Sequence, residues 1–328
     1  MNLARCGNVA QTIKNLRLRP DFYSRRYLRH FTDRETLLRM HFFAVAICHQ
    51  THNLFHKNLK LFGWDYIEYV FFRLASNNSD LLNPRFLRDQ NPSILMEMLK
   101  QEFSHDGNSE NCTLDQTSQR IELMVDASRK LIDGFNGHVA GLLKQSDGFL
   151  LNNGQGLYEV LPRFVAFTDP LQKKSTFLVK LLMEADLLEI KDTENFIPIM
   201  DYHMQRVLLR LGCVEISDES YREKIVNHEI LDTDEPIRSR CVEAFRLIAS
   251  ESGHDITKMN DFFWSLGRSC CHQTMLCVDH LCEKTPCTFS QIVELQNHDT
   301  CAFSAICPGA TDKKYRELWQ PVVETHFY

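Results

Sequence analysis

The sequence predicts an all-α protein, and three observations carry that expectation. Apolar residues recur at three- and four-residue intervals over most of the chain. Two-residue alternation, the mark of half-buried strands, is rare. Polar capping pairs stand ahead of periodic stretches, as Thr32-Asp33 does before Arg34. A long helix is therefore expected over 34–60, and a second over 64–75, where Trp64 opens the apolar repeat. Further helices are expected over 93–103, 118–143, 157–167, 171–188, 201–211, 235–250 and 258–270. Between the third and fourth of these, residues 104–116 are polar and contain Asp106-Gly107-Asn108, so an exposed loop is expected there. No internal repeat or low-complexity tract interrupts the pattern.

Composition narrows the class. With 328 residues, 44% hydrophobic and 24% charged, the chain can bury a sizeable core, and disorder is not the default. No run of 18 apolar residues and no signal-peptide core is present, so a soluble, unsecreted, intracellular protein is expected, cytoplasmic or nucleoid-associated or nuclear, with no membrane partner. The first 40 residues hold nine basic residues (Arg5, Lys14, Arg17, Arg19, Arg25, Arg26, Arg29, Arg34 and Arg39) against three acids. That leaves +6 there and −12 over the rest of a chain whose net charge is −6. Such an arm can meet phosphate, serve as an Arg-rich targeting peptide, or form a solvated helix face.

The 12 cysteines are unevenly distributed. Cys6, Cys48, Cys112, Cys213 and Cys241 are scattered, whereas Cys270, Cys271, Cys277, Cys282, Cys287, Cys301 and Cys307 crowd into 38 residues. Thiolate metal centres need several cysteines within bonding distance of one ion or cluster, and short loops bring them there. The tight C-x2-C knuckles that zinc favours are missing, which points to an iron–sulfur cluster. His272, His280 and His298 keep zinc as the alternative. Four ligands suffice, so three of the seven cysteines are spare.

Phe263-Trp264-Ser265-Leu266-Gly267-Arg268-Ser269-Cys270-Cys271 resembles the helix-to-loop start of the iron–sulfur loop in endonuclease III-like DNA glycosylases, members of the helix-hairpin-helix superfamily. That loop reads Gly-Arg-x-x-Cys and then C-x6-C-x2-C-x5-C. Gly-Arg-x-x-Cys selects Cys271, with a five-residue gap to Cys277, while Cys270 restores the six-residue gap; Cys301 and Cys307, followed by Pro308, match the closing C-x5-C. The middle departs from the family, with 23 residues between Cys277 and Cys301. The resemblance thus implies a structural [4Fe-4S] cluster on Cys271, Cys277, Cys301 and Cys307, with the choice between neighbouring cysteines open.

Upstream, Pro198-Ile199-Met200-Asp201-Tyr202-His203-Met204-Gln205-Arg206-Val207, continuing to Arg210-Leu211-Gly212, looks like the family segment that carries the catalytic aspartate. By that likeness Asp201 is the carboxylate that stabilises positive charge on the sugar as an N-glycosidic bond breaks. An acid at a helix start is equally a plain N-cap. Asp169-Pro170-Leu171-Gln172-Lys173-Lys174 occupies the place of the family's Gly-rich hairpin without its glycines. It is closer to archaeal 8-oxoguanine glycosylases, which makes Lys173 or Lys174 the Schiff-base amine. Lys180, one or two turns further on, is expected to snorkel. The resemblance covers about 170–308. Ahead of it, Trp64 and Gln50, with His203 downstream, are candidates for holding a flipped base; a Trp on an amphipathic helix is also an ordinary core residue.

These readings together imply a two-lobed fold with an N-terminal segment over 1–63 that packs with the C-terminal domain, a six-helix-type domain over 64–195, and a C-terminal domain over 196–328 carrying the cysteine loop. The implied protein is a monomeric DNA N-glycosylase with lyase activity. Its net negative charge leaves two alternatives: a glycosylase of a small modified nucleotide or nucleoside, and a non-catalytic iron–sulfur protein that binds nucleic acid or senses redox state.

Overall fold

A computed structural model describes the chain except for residues 20–27, 29, 30, 32, 283–286 and 296–298. The protein is all-α. In chain order its helices are α1 (Leu3–Lys14), α2 (Arg34–Ala46), α3 (Trp64–Ser76), α4 (Pro84–Asp89), α5 (Pro92–Glu102), α6 (Thr117–Phe135), α7 (Val139–Ser146), α8 (Leu157–Val160) and α9 (Lys173–Glu184). They continue as α10 (Tyr202–Arg210), α11 (Glu219–Val226), α12 (Glu235–Ser252), α13 (Ile256–Ser269), α14 (Leu276–Asp279), α15 (Thr288–Ile292), α16 (Pro308–Thr311) and α17 (Lys313–Arg316). Among the described residues, strand is confined to two small pairs, an antiparallel hairpin of β1 (Phe55–His56) with β2 (Leu61–Phe62) and a parallel pair of β3 (Ile230–Leu231) with β4 (Val322–Val323). Among the described residues, no helix is long and apolar enough to cross a membrane.

The chain divides into two compact units, Met1–Tyr23 with Ile197–Glu324, and Ser24–Phe196 with Thr325–Tyr328. Residues 34–63, which the sequence places in the N-terminal segment, therefore belong to the unit of α3–α9. The reason is α2 itself. Its sequence is apolar on nearly every face, and nine of its residues, from Leu37 to Ala46, are buried. Such a helix cannot lie on a surface. It is wrapped by α3, α6, α7 and α9, and Phe42 sits edge-on to Phe164 and stacks on Phe167, each at 5.3 Å.

Four expected helices are shorter than their apolar periods suggest, among them the one expected over 171–188, which runs over Lys173–Glu184. The first ends at Ala46 because the chain turns through Gln50 (φ +44) and then folds back as the β1–β2 hairpin. The helix expected over 118–143 breaks at Asn136 and Gly137, both left-handed, where the Gly137 amide bonds back to Leu131 O at 2.8 Å. The stretch 157–167 opens as α8 and then becomes two 3-10 turns around Pro162. In contrast α3, α5, α10, α12 and α13 begin and end within two residues of the expected limits.

In the other unit, α1 lies along α12 through Cys6, Val9, Ala10 and Ile13. Residues 17–19 pair with the chain around Val293, through Glu294 N to Arg17 O (2.9 Å) and Arg19 N to Ile292 O (2.7 Å). A close helix crossing joins α10 to α13. A Cβ on Gly267 would lie 2.7 Å from the His203 carbonyl oxygen. That neighbour is backbone and cannot swing aside, so overpacking outweighs the helix-propensity gain of alanine. Gly267→Ala is expected to destabilise by about 1–3 kcal/mol. Gly134→Ala, in α6 with nothing within 4 Å of its added methyl, is expected to stabilise by up to about 1 kcal/mol. Denaturant midpoints of the two variants against the parent check both signs.

Candidate functional site

The α9 unit holds a buried group of polar side chains. The turn before α9 closes through Gln172 N to Asp169 O at 2.9 Å, and Gln172 takes the left-handed conformation (φ +55) that a glycine would otherwise supply. Asp169, fully buried, accepts from the amides of Leu171 (3.1 Å) and Lys173 (2.8 Å). An internal carboxylate thus already satisfies the positive end of the helix.

The two lysines that follow differ. Lys174 is completely buried, and its Nζ donates to Ala46 O at 2.6 Å. Arg120 bonds through Nη1 to Ile47 O and through Nη2 to Asp115 at 2.9 Å. Helix α2 has no basic residue in its own last turn, so these two cations satisfy its terminal carbonyls and complement its dipole. Burial lowers the Lys174 pKa from 10.5 to about 7; Cys48 opposes the shift, and the charges of Lys173 and Arg120 add to it. Lys173 is set differently. Its Nζ stands 3.8 Å from Cys48 Sγ and 5.2 Å over the Phe177 ring, which in turn meets Trp64 edge-on at 4.6 Å. Trp64 Nε1 is buried without a hydrogen-bond partner. Next to Cys48, His49 is fully buried, and burial, followed by the charges of Lys174 and Arg120, keeps its ring neutral. Neither ring nitrogen reaches a partner, and Gln119, beyond hydrogen-bond geometry, pulls weakly the other way. Gln50 is held by its backbone to Tyr328 O (3.0 Å) and by its side chain to Gln116 (2.8 Å). Lys180 does not snorkel: it is buried and pairs with Glu184 one turn on.

In the other unit Asp201 caps α10, accepting from Met204 N at 3.1 Å, and is 8% exposed. His203 takes a 3.3 Å contact from Arg206 Nη2. Arg206, fully buried, also donates to Gly267 O (2.7 Å) and Cys271 O (2.9 Å), bonds Gln320, and lies 4.6 Å over the Trp319 ring. Arg210 donates to Leu318 O (3.0 Å), His272 O (2.8 Å) and Cys271 Sγ (3.6 Å). The Arg-x-x-x-Arg of this segment therefore braces the start of the cysteine loop.

The seven clustered thiols act on one another through their charges. Burial, and then Cys271, Cys277 and Cys307, push the Cys301 thiol upward; burial with Cys271 and Cys277 raises Cys307 to about 12. Burial and Cys271 raise Cys277 as well. Cys307 also donates to Arg210 O at 3.4 Å. A hydrogen bond between Cys270 and Cys287 pushes the Cys270 thiol up and the Cys287 thiol down, and Cys301 and Cys282 bear on Cys270 too. Among the described residues, no three His, Cys, Asp or Glu side chains stand close enough to share one ion. His272 contacts Trp319 (5.8 Å) and His280 contacts Asp299 O (3.1 Å), while His298 lies outside the described residues. Cys271, Cys277, Cys301 and Cys307 are donors of the type a four-thiolate cluster takes, with the Arg210 guanidinium on Cys271 Sγ, but the described positions do not gather three of them around one point.

Several of these residues carry little sequence signal. Phe177 could have been found, since it lies one helical turn after Lys173. Arg120 and Trp319 could not, because Ile47 O, which Arg120 caps, and Arg206 and Arg210, which Trp319 faces, are distant in sequence.

Two outcomes follow. Between pH 7 and about 10 the unfolded chain keeps a Lys174 proton that the folded chain has released, so stability rises with pH in this window, by up to about 1.4 kcal/mol per unit. Below pH 7 the penalty of burying the charge is fully present. Urea midpoints across this range are expected to show the rise, and Lys174→Met to flatten it. Iron and sulfide analysis after anaerobic purification is expected to show loss in Cys307→Ser and retention in Cys282→Ser.

No protein-family model matches this chain and none of the curated proteins matches it in sequence, so a functional reading rests on the residues and geometry described above.

Proposed function

We propose that this chain is an N-glycosylase of the helix-hairpin-helix type that excises a damaged or modified base from DNA, with lyase activity through a lysine. The observation that carries the reading is Lys173. A primary amine stands beside the Cys48 sulfur and over Phe177, which contacts Trp64, a surface suited to a planar base. In the reaction the amine attacks C1′ as the C1′–base bond breaks, and a proton passes from the amine to the departing base. The C1′–O4′ bond then opens with O4′ taking a proton, and the resulting iminium permits β-elimination of the 3′ phosphate. The sequence likeness alone, and no geometry shared with Lys173, assigns Asp201 as the carboxylate that stabilises a cationic sugar. Lys174, committed to Ala46 O, keeps α2 and the lysine pair in place. Cys271, Cys277, Cys301 and Cys307 would hold a [4Fe-4S] cluster whose contribution is to cross-link the loop.

A second reading, cleavage of a small modified nucleotide or nucleoside, is favoured by one observation. Asp169 already occupies the amides at the start of α9, so this turn does not offer them to a DNA phosphate. The basic arm supports the same point. Arg5, Arg19 and Arg34 donate to backbone carbonyls, while Arg17 and Arg39 pair with Glu294 and Glu35. Arg25, Arg26 and Arg29 lie outside the described residues.

Borohydride trapping with oligonucleotides bearing damaged bases and abasic sites tests the proposal. An adduct is expected from the parent and from Lys174→Gln, and none from Lys173→Gln. Asp201→Asn is expected to slow base release about 100-fold or more while leaving the circular dichroism spectrum unchanged. No adduct, with base released from free nucleotides, would establish the second reading. Neither reaction would leave a non-catalytic iron–sulfur protein.

A further inference from the structure

The β1–β2 hairpin stands out from the rest of its unit. It pairs Phe55 with Phe62 and His56 with Leu61, leaving residues 57–60 as its tip. Its base is firmly held. The Thr113 hydroxyl accepts from Phe55 N (3.2 Å) and donates to Phe55 O (2.8 Å). His56 is buried against Tyr66, with ring centres 5.0 Å apart, and its Nδ1 accepts from Leu59 N at 3.2 Å. Lys60 adopts φ +53 to close the turn.

What this rigid base presents is unusual for solvent. Leu59 is 46% exposed and Phe62 is 47% exposed, and the Phe62 ring stacks on Phe55 at 4.7 Å. Lys57, Asn58 and Lys60 are exposed beside them. No acid occurs from His49 to Gly63, in a chain whose net charge is −6. Single exposed apolar residues are ordinary. Two on one anchored hairpin, flanked by two lysines and by no acid, match a polyanion with an apolar interior. Gly63, the residue after β2, leads directly into Trp64, so the hairpin is continuous with the proposed base surface.

We propose that this hairpin is a nucleic-acid wedge: Leu59 and Phe62 enter the base stack of a DNA duplex while Lys57 and Lys60 contact its backbone phosphates. The inference rests on the DNA reading above. A rigid apolar tip replaces stacking lost when a base leaves the helix, and the lysines supply the salt-dependent part of the affinity.

The test is fluorescence anisotropy of the full chain with a duplex containing a tetrahydrofuran abasic analogue, over a series of KCl concentrations. Leu59→Ala/Phe62→Ala is expected to weaken binding about tenfold or more with an unchanged salt slope. Lys57→Ala/Lys60→Ala is expected to lower the slope by about two. Leu59→Ala alone, on the loop, is expected to weaken binding in the same direction without touching the Phe55 stack. Parent-like binding by these variants would overturn the proposal, as would a parent that binds no duplex. Hairpin-dependent binding to phosphatidylserine vesicles without duplex binding would assign the tip to a lipid surface instead. Trapping separates the two proposals. An adduct with hairpin-independent binding retains the glycosylase and removes the wedge, and hairpin-dependent binding without an adduct does the reverse.

Discussion

The carbonyl end of α2 is the constraint on which its unit depends. A helix so thoroughly buried cannot leave its last carbonyl oxygens to water, and an unsatisfied carbonyl there would cost about 1–3 kcal/mol. Lys174 from α9 and Arg120 from α6 answer Ala46 O and Ile47 O. Burying two cations is costly in turn, which is why Lys174 holds its proton weakly and Arg120 recruits Asp115. This arrangement ties α2, α6 and α9 to one point. It also fixes the start of α9, and with it the direction in which Lys173 leaves the helix.

The same solution recurs in the other unit with arginine. Arg206 and Arg210 leave α10 to reach the carbonyls of Gly267, Cys271, His272 and Leu318, with the face of Trp319 beneath both guanidiniums at 4.6 and 5.5 Å. Arginine suits this task, because its planar fork serves several acceptors at once while the ring offsets part of the desolvation. The start of the loop carrying Cys271 is thus held by side chains of α10. The close crossing at Gly267 admits α10 near enough for those arginines to reach.

The adjacent lysines show how location divides chemical roles. Consecutive on one helix, they point about 100° apart. One is spent on a helix terminus. The other meets a thiol and an aromatic ring. Asp169 makes the neighbouring helix end self-sufficient, so its amides at Leu171 and Lys173 are already occupied.

Much of the architecture was legible in local pattern. The all-α class, the limits of α3, α12 and α13, the position of Asp201 ahead of α10, and the crowding of cysteines after Cys270 all follow from residues within a few turns of one another. Local pattern also marked Cys271, Cys277, Cys301 and Cys307 as a candidate set, but among the described residues no three His, Cys, Asp or Glu side chains stand close enough to share one ion. Where α2 stops, which lysine is structural, and why α10 carries two buried arginines were decided by tertiary structure. Their partners lie far along the chain, as Ala46 and Lys174 do with 128 positions between their numbers. Helical periodicity reports which face is buried, but it carries no information about which distant side chain completes a buried polar group.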